Sequence, residues 1–332
     1  MAKILSLMPR IYFKDPGTLA TLEAYKDDLA FSTDYEPAAI IAAAREAMCL
    51  LCPAPYPVIS AEVIWSLPQL KLIQTAGVGY DKIDIEAAAR AGIPVANTPG
   101  INSMAVVELV VASIIVLQRR LLYADREIKR GNYQAGREKL FAWGMTEIGG
   151  SRWGIIGLGG IGTHLAVVGR MMGAAVSYHK PSRKTPEEES RLGVVWCGLE
   201  ELLATSDVVI VCVPLNSSTR RLIGAREIGM MKPGAILVNA ARGGIVDEAA
   251  VAGALASGHL GGAALDTFEN EPLLPGHPLL SLPPEVLDRV VLTPHLGGVT
   301  VQSLNRMLDA ALQNCIRVIG GQRPLAVVNG VE

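Results

Sequence analysis

Apolar residues in this chain follow two rhythms. Residues 4–8 and 48–52 are short runs with at most one polar residue, the pattern of strands buried on both faces of a sheet, and residues 70–75 read as a third strand. Segments near 16–25, 37–46 and 83–91 instead repeat their apolar positions at helical spacing. Residues 95–97 add a short strand before Pro99-Gly100. This alternation predicts a parallel sheet covered by helices on both faces. It resumes after residue 150, with strands expected at 153–156, 174–178, 208–213, 235–239, 262–266 and 290–292. Helices are expected there at 161–172 and 248–257.

Between these halves a helical pattern starts at Asn102 or Ser103, either of which can cap it, and runs to about Arg130, where Gly131 ends it. Roughly 27 residues at 1.5 Å each make a rod of about 40 Å. Its first half is nearly all apolar, which predicts burial between domains or subunits; its second half is charged. Residues 131–150 are polar with scattered aromatics and predict a loop over the surface. The last helix, 300–319, lies beyond the final strand and is free to pack back on the N-terminal domain.

Length and composition narrow the class. At 332 residues the chain suits about two domains, and half of its residues are hydrophobic. A net charge of −2 supplies no general attraction to nucleic acid or to an anionic membrane. The N-terminus is too short in its apolar part for a signal peptide, and the apolar stretch 105–117 is interrupted by Glu108. Five scattered cysteines suit a reducing, cytoplasmic setting. Cys49 and Cys52 have redox-motif spacing but sit in an apolar run, so they read as two strand thiols, and no second cysteine pair suggests a metal site.

The chemistry centres on residues 153–164. An apolar strand meets Gly157, Gly159 and Gly162 in a G-x-G-x-x-G turn, and a helix follows. In that context the first glycine makes the tight turn and the second lets backbone N–H groups approach a pyrophosphate. The third lets the helix pack on the strand. The helix N-terminus, beginning with Gly160 and Ile161, adds unpaired N–H groups and partial positive charge. Glycines alone also mark ordinary turns; strand before and helix after make this one a dinucleotide site.

Three charged side chains follow predicted strand ends: Arg242, Glu271 and His295. A 2-oxo acid needs a guanidinium fork for its carboxylate and carbonyl oxygen. It also needs a proton donor at that oxygen while hydride reaches carbon, a task for histidine. A carboxylate bonded to the imidazole orients it and favours its protonated form. Singly, each has a bland reading as a surface ion pair, a turn or a structural histidine; together at the strand ends of one sheet they point to a site.

The chain resembles the D-isomer-specific 2-hydroxyacid dehydrogenases. The resemblance covers nearly its whole length and rests on Thr75-Ala-Gly-Val-Gly-Tyr-Asp, the glycine turn, Asn239-Ala-Ala-Arg-Gly, Ala264-Leu-Asp-Thr-Phe-Glu-Asn-Glu-Pro and Thr293-Pro-His-Leu-Gly-Gly. It implies an α/β protein with two doubly wound parallel sheets. A Rossmann-type dinucleotide-binding domain, 102–296, is inserted in a flavodoxin-like substrate domain, 1–101 with 297–332. Arg242, Glu271 and His295 are then the catalytic trio, and Asp266 faces the nicotinamide carboxamide. The backbone around Val78 and Gly79 binds the substrate carboxylate, and Arg242 and His295 are further substrate contacts. Further coenzyme contacts fall on Val106, His179, Val213, Pro214, Thr219, Ala240, Ala241, Gly297 and Gly298. The resemblance also implies a homodimer built around the helix that starts near Ser103. Formate dehydrogenases of this superfamily have glutamine where Glu271 stands, and phosphite dehydrogenase has lysine at Val78.

The activity implied is reduction of a small 2-oxo acid, with glyoxylate and hydroxypyruvate first. A D-3-phosphoglycerate dehydrogenase lacking a regulatory domain and a dinucleotide-sensing, corepressor-like protein stay open as alternatives. For the coenzyme, the acidic residue that holds an adenosine ribose is expected about 20 residues past the glycines. That stretch holds Lys180, Ser182 and Arg183 and no carboxylate, which predicts NADP(H) over NAD(H); the plain alternative is a solvated basic loop. The substrate side chain is expected to meet loop 52–57, Val78, Trp143 and residues 273–278.

Overall fold

The computed structural model describes residues 2–53 and 57–331. The chain divides into two compact units, Met1–Asn102 with Gly298–Glu332, and Ser103–Gly297. Asn102 thus falls with the first unit and Gly297 with the second, one residue from the expected cuts.

The first unit holds strands β1 (Ile4–Ser6), β2 (Leu29–Phe31), β3 (Cys49–Cys52), β4 (Leu72–Thr75) and β5 (Val95–Ala96). They form one parallel sheet in the order β2-β1-β3-β4-β5, the flavodoxin-like arrangement. Helices α1 (Pro16–Ala24), α2 (Pro37–Ala44), α3 (Ala61–Trp65) and α4 (Ile85–Arg90) connect the strands. Successive strand residues face opposite layers: Leu50 and Cys52 pack with Ile40, Val63 and Ile64, whereas Cys49 and Leu51 pack with Leu308, Leu312 and Cys315. The three-residue step from Cys49 to Cys52 therefore sends the two thiols to opposite faces of one strand. Both are buried and free, and burial pushes the Cys52 thiol up to about 12. Strand β2 escaped the periodicity because only three half-buried residues form it.

The second unit holds β6 (Arg152–Ile156), β7 (Ala175–His179), β8 (Val195–Trp196), β9 (Val208–Val211), β10 (Ile236–Asn239), β11 (Gly262–Leu265) and β12 (Val290–Leu292). All pair in parallel, in the order β12-β11-β10-β9-β6-β7-β8. Alternate residues of each strand again enter different layers, Val208 and Ile210 in one and Val209 and Val211 in the other. Strand order reverses between β6 and β9, and ligand crevices in such sheets open beyond the carboxyl ends at that point.

The structure departs from the sequence pattern at two places. The single long rod is two helices, α5 (Ser103–Gln118) and α6 (Leu121–Lys129), separated at Arg120, which takes φ 50°. The Arg120 guanidinium lies 5.1 Å from the Trp143 ring and donates from Nε to the Gly144 carbonyl at 3.4 Å. The expected surface loop contains a helix, α7 (Tyr133–Trp143), packed on α6 through Tyr123 and Trp143, whose ring centroids are 4.7 Å apart. The apolar half of the pattern is buried inside its own unit: Val106, Val110 and Ile114 of α5 share a core with Trp153, Leu165 and Val238.

Helices α8 (Gly160–Met171), α9 (Pro186–Leu192), α10 (Leu199–Thr205), α11 (Ala225–Met230), α12 (Glu248–Ala256) and α13 (Pro284–Leu287) complete the second unit. The last helix, α14 (Val301–Ile319), starts at a Thr300 cap and packs on the first sheet. Its Asn314 donates to Gln74 Oε1 at 2.6 Å.

Candidate active site

Because the strands of the second sheet are parallel, loops after β10, β11 and β12 leave from one edge, and they carry the three charged residues. After β10, Asn239 folds the loop back on itself: its Nδ2 donates to the Arg242 carbonyl at 2.9 Å and its Oδ1 accepts from Ala241 N–H at 3.2 Å. Arg242 Nη1 donates to the Ala241 carbonyl at 2.7 Å. Gly243 then passes so close to the next loop that a Cβ there would lie 1.9 Å from the Phe268 carbonyl. Only glycine permits that approach, which brings the Arg242 loop against the Glu271 loop.

After β12, His295 holds φ 56°, a conformation uncommon for a side-chain residue. Asp266 fixes it there. The Asp266 carbonyl accepts from His295 N–H at 2.8 Å, and its carboxylate accepts from Thr293 Oγ1 at 2.6 Å and from the Leu296 and Gly297 N–H groups, each at 2.8 Å. The imidazole turns toward Glu271, with Nδ1 2.9 Å from Oε2, while Glu271 Oε1 accepts from Phe268 N–H at 3.0 Å. Among the described residues Nε2 of His295 has no protein partner. Burial pushes the Glu271 carboxyl upward. The hydrogen bonds from His295 and Phe268, with the charges of His295 and Arg242, outweigh it and hold the group below the usual carboxylate range.

At the sheet's reversal, Gly157 follows β6 with φ 97° and sits against the Cys212 carbonyl, 2.6 Å from where a Cβ would be. A Cβ on Gly162 would lie 2.2 Å from the Gly157 carbonyl oxygen, so the first turn of α8 presses directly on the loop. In front of Gly159 a Cβ would meet nothing within 4 Å, and α8 has no side-chain cap. Open space before an uncapped helix N-terminus fits the pyrophosphate of a dinucleotide.

A family model described as "D-isomer specific 2-hydroxyacid dehydrogenase, NAD binding domain" matches residues 111–297. This chain belongs to that family. A glyoxylate reductase of Aeropyrum pernix is 39% identical over 274 residues, which is 82% of this chain and 80% of that protein. A D-3-phosphoglycerate dehydrogenase of Archaeoglobus fulgidus is 41% identical over 242 residues, but these make up only 44% of its length. Among solved structures, D-lactate dehydrogenase from Aquifex aeolicus, complexed with NAD and lactic acid, aligns with TM-score 0.84 and 28% identity over 96% of this chain and 95% of that one. The chain is accordingly a nicotinamide-dependent 2-hydroxyacid oxidoreductase.

The segment after β7, expected from the sequence to meet the adenosine end of the coenzyme, is tied down at His179, Lys180, Arg183 and Lys184. His179 Nδ1 lies 3.1 Å from the Cys197 carbonyl, and Trp196 Nε1 donates to the Lys180 carbonyl at 3.0 Å. Lys184 N–H donates to the Tyr178 hydroxyl at 2.8 Å. Arg183 forms a two-pronged ion pair with Glu189 of α9, a partner the local sequence gave no reason to assign. Hydrogen bonds from Arg183 and Tyr178 hold the Glu189 carboxyl below its usual range. Neither Lys180 Nζ nor Ser182 Oγ has a partner among the described residues.

The remaining sequence candidates divide. Ile161 lies in the first turn of α8, Val213 and Pro214 follow β9 at the reversal point, and Ala240 and Ala241 follow β10. Val106 is buried in the core beneath α8, and Thr219 Oγ1 is occupied in closing its own turn on the Pro214 carbonyl at 2.6 Å. Gly298 belongs to the other unit, where a Cβ would lie 2.3 Å from Asn102 Nδ2. In that unit Val78 and Gly79 follow the carboxyl end of β4; Asn97 Nδ2 donates to the Val78 carbonyl at 2.8 Å. Of the expected substrate loop, residues 54–56 lie outside the described residues. The Trp143 ring is engaged by Tyr123, Arg120 and Lys139.

Proposed function

We propose that this chain reduces a small 2-oxo acid, glyoxylate first, to the corresponding 2-hydroxy acid, with NADPH preferred over NADH. The observation that carries the reading is the His295–Glu271 hydrogen bond beside Arg242, at the edge where the glycine turn receives a dinucleotide. A bound reduced nicotinamide supplies the hydride that adds to the carbonyl carbon. His295, held through Nδ1 by Glu271, gives its Nε2 proton to the carbonyl oxygen and recovers one from solvent. Arg242 presents a guanidinium to the carboxylate and carbonyl oxygens, and it polarises the bond under attack. Glyoxylate as first substrate is supported by the relatives that carry that name.

The coenzyme preference rests on Lys180 and Ser182, in a segment from the end of β7 onward, residues 177–184, that carries no acidic residue of its own. Free cysteines, four of them buried, support a reducing, cytoplasmic setting. We further propose a homodimer in which α5 is joined by the α6–α7 pair, where Ile128, Tyr133 and Phe141 are exposed. The test of the activity is a panel of 2-oxo acids assayed with NADPH and NADH in parallel. Turnover of glyoxylate with higher kcat/KM for NADPH is expected. No turnover with any acid defeats the activity, and a higher value for NADH defeats the coenzyme preference.

A further inference from the structure

Arg183 is the cation most suited by shape to a coenzyme phosphate, yet its fork is already filled. Its Nε and Nη2 donate to the two carboxylate oxygens of Glu189 at 2.9 and 2.7 Å. Glu189 is itself only 8% exposed and also accepts from the Tyr178 hydroxyl at 2.7 Å. That hydroxyl in turn accepts the Lys184 N–H, so the carboxylate is fixed from the strand and from the loop at once. The guanidinium carbon lies 5.7 Å from the Trp196 ring, and the same indole holds the Lys180 carbonyl. An internal carboxylate therefore meets Arg183 with the same bidentate geometry that a phosphate seeks.

We propose that Glu189 is a positioning residue that sets coenzyme selectivity by occupying the Arg183 fork, leaving Lys180 as the principal cation for a 2′-phosphate. This rests on the reading of the segment after β7 as the coenzyme-discriminating loop. Two effects act in one direction. The Nε and Nη2 donors of Arg183 are already used, and the Glu189 charge offsets the attraction of Arg183 for a second anion. Removing that charge while keeping the side-chain shape frees the guanidinium for the coenzyme. NADH lacks the 2′-phosphate and gains nothing.

The test is a cycle of the native chain, Glu189→Gln, Arg183→Ala and the double variant. For each, dissociation constants of NADPH and NADH are read by tryptophan quenching, and kcat and KM are read with glyoxylate. Glu189→Gln is expected to tighten NADPH by about threefold or more and to change NADH by less than about twofold, with kcat preserved. Arg183→Ala is expected to weaken NADPH at least about three times more in the Glu189→Gln background than in the native chain. A smaller gain, a loss of NADPH affinity, or additive effects of the two changes overturns the proposal. Should Glu189→Gln unfold, Glu189→Asp, which keeps the charge but shortens the reach, is measured against Arg183→Ala in the same cycle. Non-additivity of the same sign supports the proposal and additivity overturns it. A native preference for NADH defeats the NADP reading, while this proposal still stands or falls on the change between variants.

Discussion

Asp266 and Glu271 divide the labour around His295. Asp266 accepts from four groups of the 293–297 loop through its carbonyl and carboxylate oxygens and so fixes the backbone. Glu271 binds the ring. Its folded-state carboxyl titrates below the ordinary value of 4.5. A carboxyl depressed on folding contributes stability that is fully present above its unfolded value and is lost as pH falls through the folded one. The stability gap between the native chain and Glu271→Gln is therefore expected to hold, on the order of 1 kcal/mol, from pH 7 to about 4.5 and to close below that. Urea unfolding at pH 7 and at a series of pH values below about 4.5 measures it; a gap that stays open or widens throughout that series contradicts the assignment. The same variant is expected to lower kcat about tenfold or more, because a glutamine carries no negative charge beside the proton-donating ring.

Among the elements, the glycine turn and the strands around it were legible because burial on both faces leaves unbroken apolar runs. The seven-stranded sheet lost only β8, two residues long with Val195 exposed. The rod and the loop were misread for a physical reason. Helical periodicity runs straight through Arg119 and Arg120, and the break shows only in the φ of 50° at Arg120, whose guanidinium meets Trp143, distant in sequence. Gly131 and Gly136 hid α7, which owes its place to contact with α6 rather than to local propensity. The charged trio was found from strand ends, whereas Gly243 and Glu189 act through partners 25 and 6 residues away in Phe268 and Arg183, beyond any local signal. The packing of α8 on its loop gives an element-level prediction. Gly162→Ala is expected to cost about 1–3 kcal/mol by forcing the helix off the Gly157 carbonyl. It should also weaken coenzyme binding at least tenfold. Thermal unfolding and fluorescence titration check both, and an unchanged dissociation constant separates the turn from the coenzyme.

At the scale of the whole molecule, two parallel sheets of different strand order each present their functional loops at carboxyl ends, as their topologies require. No helix among the described residues is long and apolar enough to cross a membrane. In the proposed homodimer, the exposed aromatics of α7, Tyr133 and Phe141 at 64% and 66% accessible, meet the second copy of the chain. Replacing both residues by aspartate is expected to convert a dimer into a monomer in light scattering, without changing coenzyme affinity. A native chain already monomeric at micromolar concentration rules the dimer out.

In the proposed reaction one imidazole delivers the proton to the substrate oxygen. His295→Ala is compared with the native chain under saturating NADPH and glyoxylate. A fall in kcat of about 10²- to 10⁴-fold is expected, with the NADPH dissociation constant unchanged within about twofold. A kcat within a few-fold of native would contradict it.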